Sequence, residues 1–138
     1  MRTVYLYTDG GARGNPGPAG IGVQIVEDGE VKGELAKYLA HQTNNVAEYQ
    51  ALIHGLELLI QTYGAVLAEC NVIVRMDSEL IVRQLTHVYR VKDPTLKTLF
   101  ARVEELRQQV PHLTFSHISR EENAEADRLA NEAMDTGA

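Results

Sequence analysis

Tryptophan is absent from this 138-residue sequence, and cysteine occurs once, as Cys70. A single thiol excludes an internal disulfide framework. Between Glu69 and Asn71 it reads as a small, half-buried residue suited to a reducing cytoplasm. No apolar run approaches the roughly 20 residues that a bilayer-crossing helix needs, and the opening MRTVYLYTDGG has no signal-peptide core. Repeats, low-complexity stretches and linkers are missing too. The expectation is one cytoplasmic domain over residues 1–138, monomeric, without a membrane partner and with a flexible tail at about 135–138. Basic excess is also lacking: the net charge is −6, which at first argues against a nucleic-acid partner.

What is present is ordinary globular chemistry, 44% hydrophobic and 23% charged, enough for one substantial core. Thr3–Thr8 (TVYLYT), Ile21–Val26 and Val31–Leu39 read as three strands, the last two joined by an Asp-Gly hairpin signal in EDGE (Glu27–Glu30). The period then changes. Leu52, Leu56, Leu59 and Tyr63 form a helical stripe from Asn45, closed by Gly64. Asn71–Met76 is a fourth strand, and Ser78 is placed to cap a helix over Glu79–Thr86. A helix from Pro94 to about Gln109, a strand at Leu113–Ile118 and a helix at Asn123–Met134 complete the order βββαβααβα. That order predicts an α/β fold with a five-stranded mixed sheet, strands one to three antiparallel and strands four and five parallel to the first.

Four acids stand out: Asp9, Glu48, Asp77 and Asp127. Asp9 and Asp77 each follow a strand that is expected to be a neighbour of the other, so both emerge at the sheet's carboxyl edge, where ligands collect. Taken singly, Asp9 is also a turn residue, Asp77 a helix flank, Glu48 a first-turn complement to the helix dipole, and Asp127 part of a solvated acidic face. Yet Asp127 adjoins the apolar stripe of its helix, where a carboxylate costs desolvation unless a positive charge binds it. If the four converge, they can hold two Mg²⁺ against a phosphodiester. Two such ions would bring the net charge from −6 to about −2, leaving modest, salt-dependent affinity for nucleic acid.

Four blocks, TDGGARGNPGPAGIG, TNNVAEYQAL, RMDSELIVRQL and REENAEADRLAN, run in this order from Tyr7 to Asn131. Together they resemble ribonuclease HI, in its compact archaeal and bacterial form. The resemblance implies the ribonuclease H-like fold and a metal-dependent endonuclease that cuts the RNA strand of RNA–DNA hybrids, leaving 5′-phosphate and 3′-hydroxyl ends. It implies two Mg²⁺ about 4 Å apart, with Mn²⁺ as a substitute, held by Asp9, Glu48, Asp77 and Asp127. Asp9 would bridge both ions. It further implies that Asn44 and Asn45 contact the minor groove, that Gly10 and Gly11 approach the RNA strand, and that Asn15 and Thr43 hold a DNA-strand phosphate. Ser78 joins these substrate contacts.

The sequence also departs from the family. Better-studied relatives carry a basic protrusion for which Thr86–Lys92 is too short, so grip on the hybrid should be weaker or fall to Lys97, Arg102 and Arg107. The loop before the last aspartate is curtailed; His117 and Arg120 are the residues there that could assist catalysis. Three other readings stay open. One is a nuclease on another duplex, including DNA junctions and double-stranded RNA; another is a weak or silent module of the same fold that binds hybrid or double-stranded RNA. The third, a nucleotide enzyme built on Gly10–Gly17, lacks the GxxxxGK[ST] pattern.

Overall fold

In the first strand Val4 and Leu6 point to one side and are fully buried, while Tyr5 and Tyr7 point to the other. This two-residue period sets the layers of the molecule. A computed structural model describes residues 1–137. It contains β1 (Arg2–Ala12), β2 (Gly17–Glu27), β3 (Glu30–Gln42), α1 (Asn44–Tyr63), β4 (Cys70–Met76), α2 (Glu79–Leu85), α3 (Pro94–Arg107), β5 (Leu113–His117) and α4 (Ala124–Thr136). Short 3₁₀ turns at Gly64–Glu69 and Glu121–Asn123 precede β4 and α4.

The sheet order is β3-β2-β1-β4-β5. β1 and β3 run antiparallel to β2, whereas β4 is parallel to β1 and to β5. This is the expected mixed sheet. Its core lies between Val4, Leu6, Val72, Val74 and Met76 on the sheet and Leu52, Leu56 and Leu59 on α1, with Val103 and Leu106 of α3 packed in behind. α4 covers the opposite face over β2, through Ala126, Ala130 and Ala133.

Several boundaries differ from the sequence reading. β1 does not end at Thr8. Its parallel ladder with β4 stops at Tyr7–Arg75, but its antiparallel ladder with β2 continues from Asp9–Gly22 to Ala12–Ala19. The tail expected at 135–138 is in part helix. α4 continues through Thr136 and is capped by Gly137 in the left-handed region (φ 65°), whose N–H donates to the Ala133 carbonyl. Of that tail, Ala138 lies outside the described residues. By length and composition, the 26-residue helical segment Asn44–Glu69 could cross a bilayer, contrary to the sequence expectation. Here it is a core helix: Ala47, Ala51, Leu52, Leu56 and Leu59 pack beneath the sheet.

Candidate active site

The uneven ladder of β1 is what creates the site. Beyond Tyr7 the strand has lost its neighbour on the β4 side, so Asp9 sits inside a strand yet borders an open notch. Asp77 follows the last residue of β4 and reaches the same notch. Glu48 arrives from α1, which crosses β1 so closely that a Cβ on Gly10 would run into the Ala47 carbonyl. Glycine at position 10 is therefore a packing requirement of this fold. Glu48 lies in the second turn of its helix, not the first, so dipole complementation does not explain it. Instead its Oε1 accepts the Gly10 N–H at 3.1 Å.

Oxygen atoms of Asp9, Glu48 and Asp77 come within 4.8 Å of one another. Asp9 and Glu48 are each only 9% exposed. Asp127 lines the same cleft, of about 490 Å³, from the first turn of α4. Its approach depends on Gly22, the ladder partner of Asp9. A Cβ there would meet the Ala126 carbonyl and lie 2.7 Å from the Ala130 nitrogen. Asn123, 1% exposed, fixes the start of the helix by donating from Nδ2 to the Thr8 carbonyl at 2.9 Å. The sequence reading missed both Gly22 and Asn123. A glycine opposite Asp9 is a signal only once the β1–β2 register is known.

Electrostatics mark the cluster as a place for a cation. Burial pushes the Asp9 carboxyl up to about 9, with the charges of Asp77 and Glu48 and a hydrogen bond to Asp127 acting in the same direction. Glu48 rises to about 7 through burial, opposed by the Gly10 N–H. Asp77 is raised by burial, against the pull of the nearby Arg120 charge. Crowded carboxylates of this kind repel one another unless positive charge is supplied between them. An all-oxygen donor set is the chemistry of hard divalent cations.

The other candidates separate by position. Gly11 borders the cleft, and a Cβ there would meet nothing within 4 Å, so its bareness leaves room for something outside the protein. Asn44 Oδ1 accepts the Ala12 N–H at 2.8 Å, and the Asn44 N–H donates to Asn15 Oδ1 at 3.0 Å, locking the β1–β2 turn onto α1. Thr43 and Ser78 are N-caps, accepting from Val46 and Ile81. Ser78 also lines the cleft. Asn45 borders both this cleft and a second hollow of about 530 Å³, which holds Asn15, Thr43 and Thr95; Thr95 is a further polar group the sequence reading did not name. Arg120 lines the main cleft. His117 ends β5 opposite Met76, is exposed, and does not line the cleft. On α3, Arg102 pairs with Glu57 and Glu105, and Arg107 with Glu104, so two of the three cations expected to grip a duplex are partly neutralised. Lys97 borders a separate hollow with Tyr89 and Arg90.

Comparison with known proteins agrees with this geometry. The family described as reverse transcriptase-like matches residues 7–133. A ribonuclease H of Coxiella burnetii is 34% identical over 146 residues, covering 96% of this chain and 90% of its own. The chain belongs to the ribonuclease H family. A bifunctional protein of Mycobacterium tuberculosis is 39% identical over 137 residues, but this chain spans only 36% of that protein's length. A ribonuclease H1 isolated from compost by a metagenomic approach superposes with a TM-score of 0.93 at 55% identity, over 99% of both chains. That ribonuclease H1 has also been solved in complex with an RNA/DNA hybrid; this second structure gives a TM-score of 0.92 at 54% identity, over 97% of this chain and 98% of the other. The ribonuclease H fold expected from the four sequence blocks is therefore the fold observed.

Proposed function

We propose that this protein is an endoribonuclease that hydrolyses the RNA strand of RNA–DNA hybrids with two Mg²⁺, leaving 5′-phosphate and 3′-hydroxyl ends. The observation that carries this reading is the meeting of Asp9, Glu48 and Asp77 within 4.8 Å, in a cleft that Asp127 shares. Family membership and the hybrid complex of the 54%-identical ribonuclease H1 support it.

The residues fit divalent cations: hard oxygens, crowded and deeply set, with the proton affinities of Asp9 and Glu48 raised chiefly by burial and further by the charge of Asp77. In this reading Asp9 would serve both ions, Glu48 and Asp77 would hold one and Asp127 the other. Bound there, such ions supply an activated water and charge neutralisation at the leaving 3′ oxygen of an in-line displacement. The Gly10 N–H fixes the Glu48 carboxylate beside Asp9 and Asp77. Gly11 leaves the RNA backbone room to approach. Asn44 and Asn45 face the minor groove, where 2′-hydroxyls distinguish RNA from DNA. Asn15, Thr43 and Thr95 offer amide and hydroxyl groups to a phosphate of the DNA strand, and Ser78 steadies the mouth of the cleft beside Asp77. Arg120 offsets charge near Asp77. His117 stands outside the cleft lining, so any help with proton transfer would need a water chain.

Matched, end-labelled RNA–DNA, RNA–RNA and DNA–DNA duplexes with Mg²⁺ or Mn²⁺ test this directly. RNA cleavage confined to the hybrid, with 5′-phosphate products, is expected. Cleavage confined to either of the other duplexes would overturn the hybrid assignment. Hybrid binding without turnover in either metal would instead identify a silent binding module.

A further inference from the structure

Two cations line the main cleft among the described residues, Arg120 and Arg13. Arg13 comes from the turn between β1 and β2, where its backbone is tightly held. Its N–H donates to the Pro18 carbonyl at 2.8 Å, and Gly17 packs so close to the Arg13 carbonyl that a Cβ there would collide. The side chain then crosses to α4. Nη2 forms an ion pair with Asp135 Oδ1 at 2.7 Å and lies 3.3 Å from Asn131 Oδ1. Asn131 in turn donates from Nδ2 to the Asp127 carbonyl at 3.0 Å, one helical turn back. Arg13 is thus clasped by two side chains of the helix that carries Asp127, one of which also bonds the Asp127 carbonyl.

All of these contacts use Nη2. Among the described residues Nε and Nη1 have no hydrogen-bond partner, and the side chain remains 46% exposed. A guanidinium anchored at one nitrogen and free at the others is a preset fork for a phosphate. Its contacts lie on Asn131 and Asp135, four and eight residues along α4 from Asp127, on the order of 6–12 Å of helix rise. That offset places it beside the stretch of strand that flanks the reacting phosphate. We propose that Arg13 is a substrate-positioning residue that grips an RNA-strand phosphate neighbouring the scissile one, with Asp135 and Asn131 holding the guanidinium in place beforehand. This rests on the hybrid-nuclease reading above.

The test compares the parent with Arg13→Ala, Arg13→Lys and Asp135→Ala. Steady-state cleavage with Mg²⁺ gives KM and kcat. Fluorescence anisotropy on an Asp9→Asn background gives hybrid Kd at about 50 and 200 mM salt, where each phosphate contact contributes a slope of about −0.9 in log–log form. Arg13→Ala is expected to raise KM more than it lowers kcat, by on the order of tenfold, and to flatten the salt slope by about one contact. Arg13→Lys should restore the slope but only part of the affinity, because it keeps the charge and loses the fork. Asp135→Ala removes the anchor and keeps the cation, so its slope should match the parent. An unchanged slope in Arg13→Ala would overturn the proposal. So would an equal loss of slope in Asp135→Ala, since that would make the pair a structural clasp. A parent protein that neither binds nor cuts hybrid would instead sink the functional reading on which the proposal stands.

Discussion

Replacing Asp9 by Asn should move stability and activity in opposite directions. The Asp9 carboxyl is raised from 3.8 to about 9 in the fold, chiefly by burial and then by Asp77 and Glu48. A raised acid holds its proton more tightly folded than unfolded. Its penalty on the metal-free fold is therefore absent below about pH 4, grows as pH rises, and levels off above pH 9. From the ordinary carboxyl value to neutrality is roughly three pH units, on the order of 4 kcal/mol at about 1.36 kcal/mol per unit. Asp77 is half-buried and the cleft is open, so water screens part of this, leaving about 2 kcal/mol. Asparagine keeps the shape and cannot ionise. In EDTA at pH 7 the variant should melt roughly 5–10 °C above the parent, and the gap should close near pH 4. Added Mg²⁺ should raise the parent's midpoint more than the variant's, because an ion that binds only the folded state stabilises it by mass action. Turnover on a hybrid should fall at least about a hundredfold. Circular-dichroism melts at pH 4, 7 and 9, with EDTA or Mg²⁺, read the whole pattern. A metal-free variant no more stable than the parent at pH 7, or a gap that persists unchanged at pH 4, would refute the claim that crowded carboxylates strain this cleft.

Other substitutions probe the supports of the site. Gly22→Ala places a methyl against the Ala126 carbonyl and should cost about 1–3 kcal/mol by displacing α4. Because Asp127 rides on that helix, hybrid cleavage at a temperature where the variant is fully folded should drop as well; full activity there would show that α4 tolerates the shift. Glu27 accepts from Arg2 Nε at 2.7 Å and from Tyr63 at 2.9 Å, and these contacts hold its carboxyl down at about 2. A lowered acid contributes stability above its unfolded value of about 4.5 that is lost as pH falls towards 2, so Glu27→Gln should lower the melting point at pH 7 and flatten its acid dependence in that window. Equal acid sensitivity in parent and variant would exclude the Arg2–Glu27–Tyr63 cluster as a contributor. Asn45→Ala should raise KM for hybrid or blur the preference for hybrid over other duplexes. A drop in melting temperature with unchanged KM would mark Asn45 as a structural residue instead.

Much of this was legible before coordinates. The stripe Leu52, Leu56, Leu59 and the capping residues Ser78 and Gly64 report local chemistry, and the structure places them as read. The strand directions also followed, because tight hairpins force antiparallel neighbours and helical crossovers allow parallel ones. The four acids were identifiable as a set and do reach one cleft. What stayed hidden depends on pairs far apart in the chain. Strand alternation alone does not say that β1 outlives its pairing with β4, and it places Asp9 past a strand end. The Arg13–Asp135 pair, the Asn123 bond to Thr8 and the Gly22–Ala126 approach each join segments a hundred or more residues apart. The cations Arg102 and Arg107 looked available for a phosphate backbone; only their neighbours in space showed them paired with Glu57, Glu105 and Glu104.

The position of the site follows from this inequality of pairing. A strand that lost both neighbours at Tyr7 would fray, and Asp9 would be a solvated turn residue with an ordinary carboxyl. A strand that kept both would bury Asp9 between ladders, with no room for Asp77 or a substrate. β1 keeps one, with Asp9 held against Gly22 while its β4 side stands open. That half-paired state fixes the backbone of Asp9, exposes its carboxyl to the acids arriving from α1 and β4, and uses the smallest residue at position 22 to let α4 deliver Asp127 from behind. Rigidity and access usually oppose each other in a site; here each comes from a different edge of the same strand.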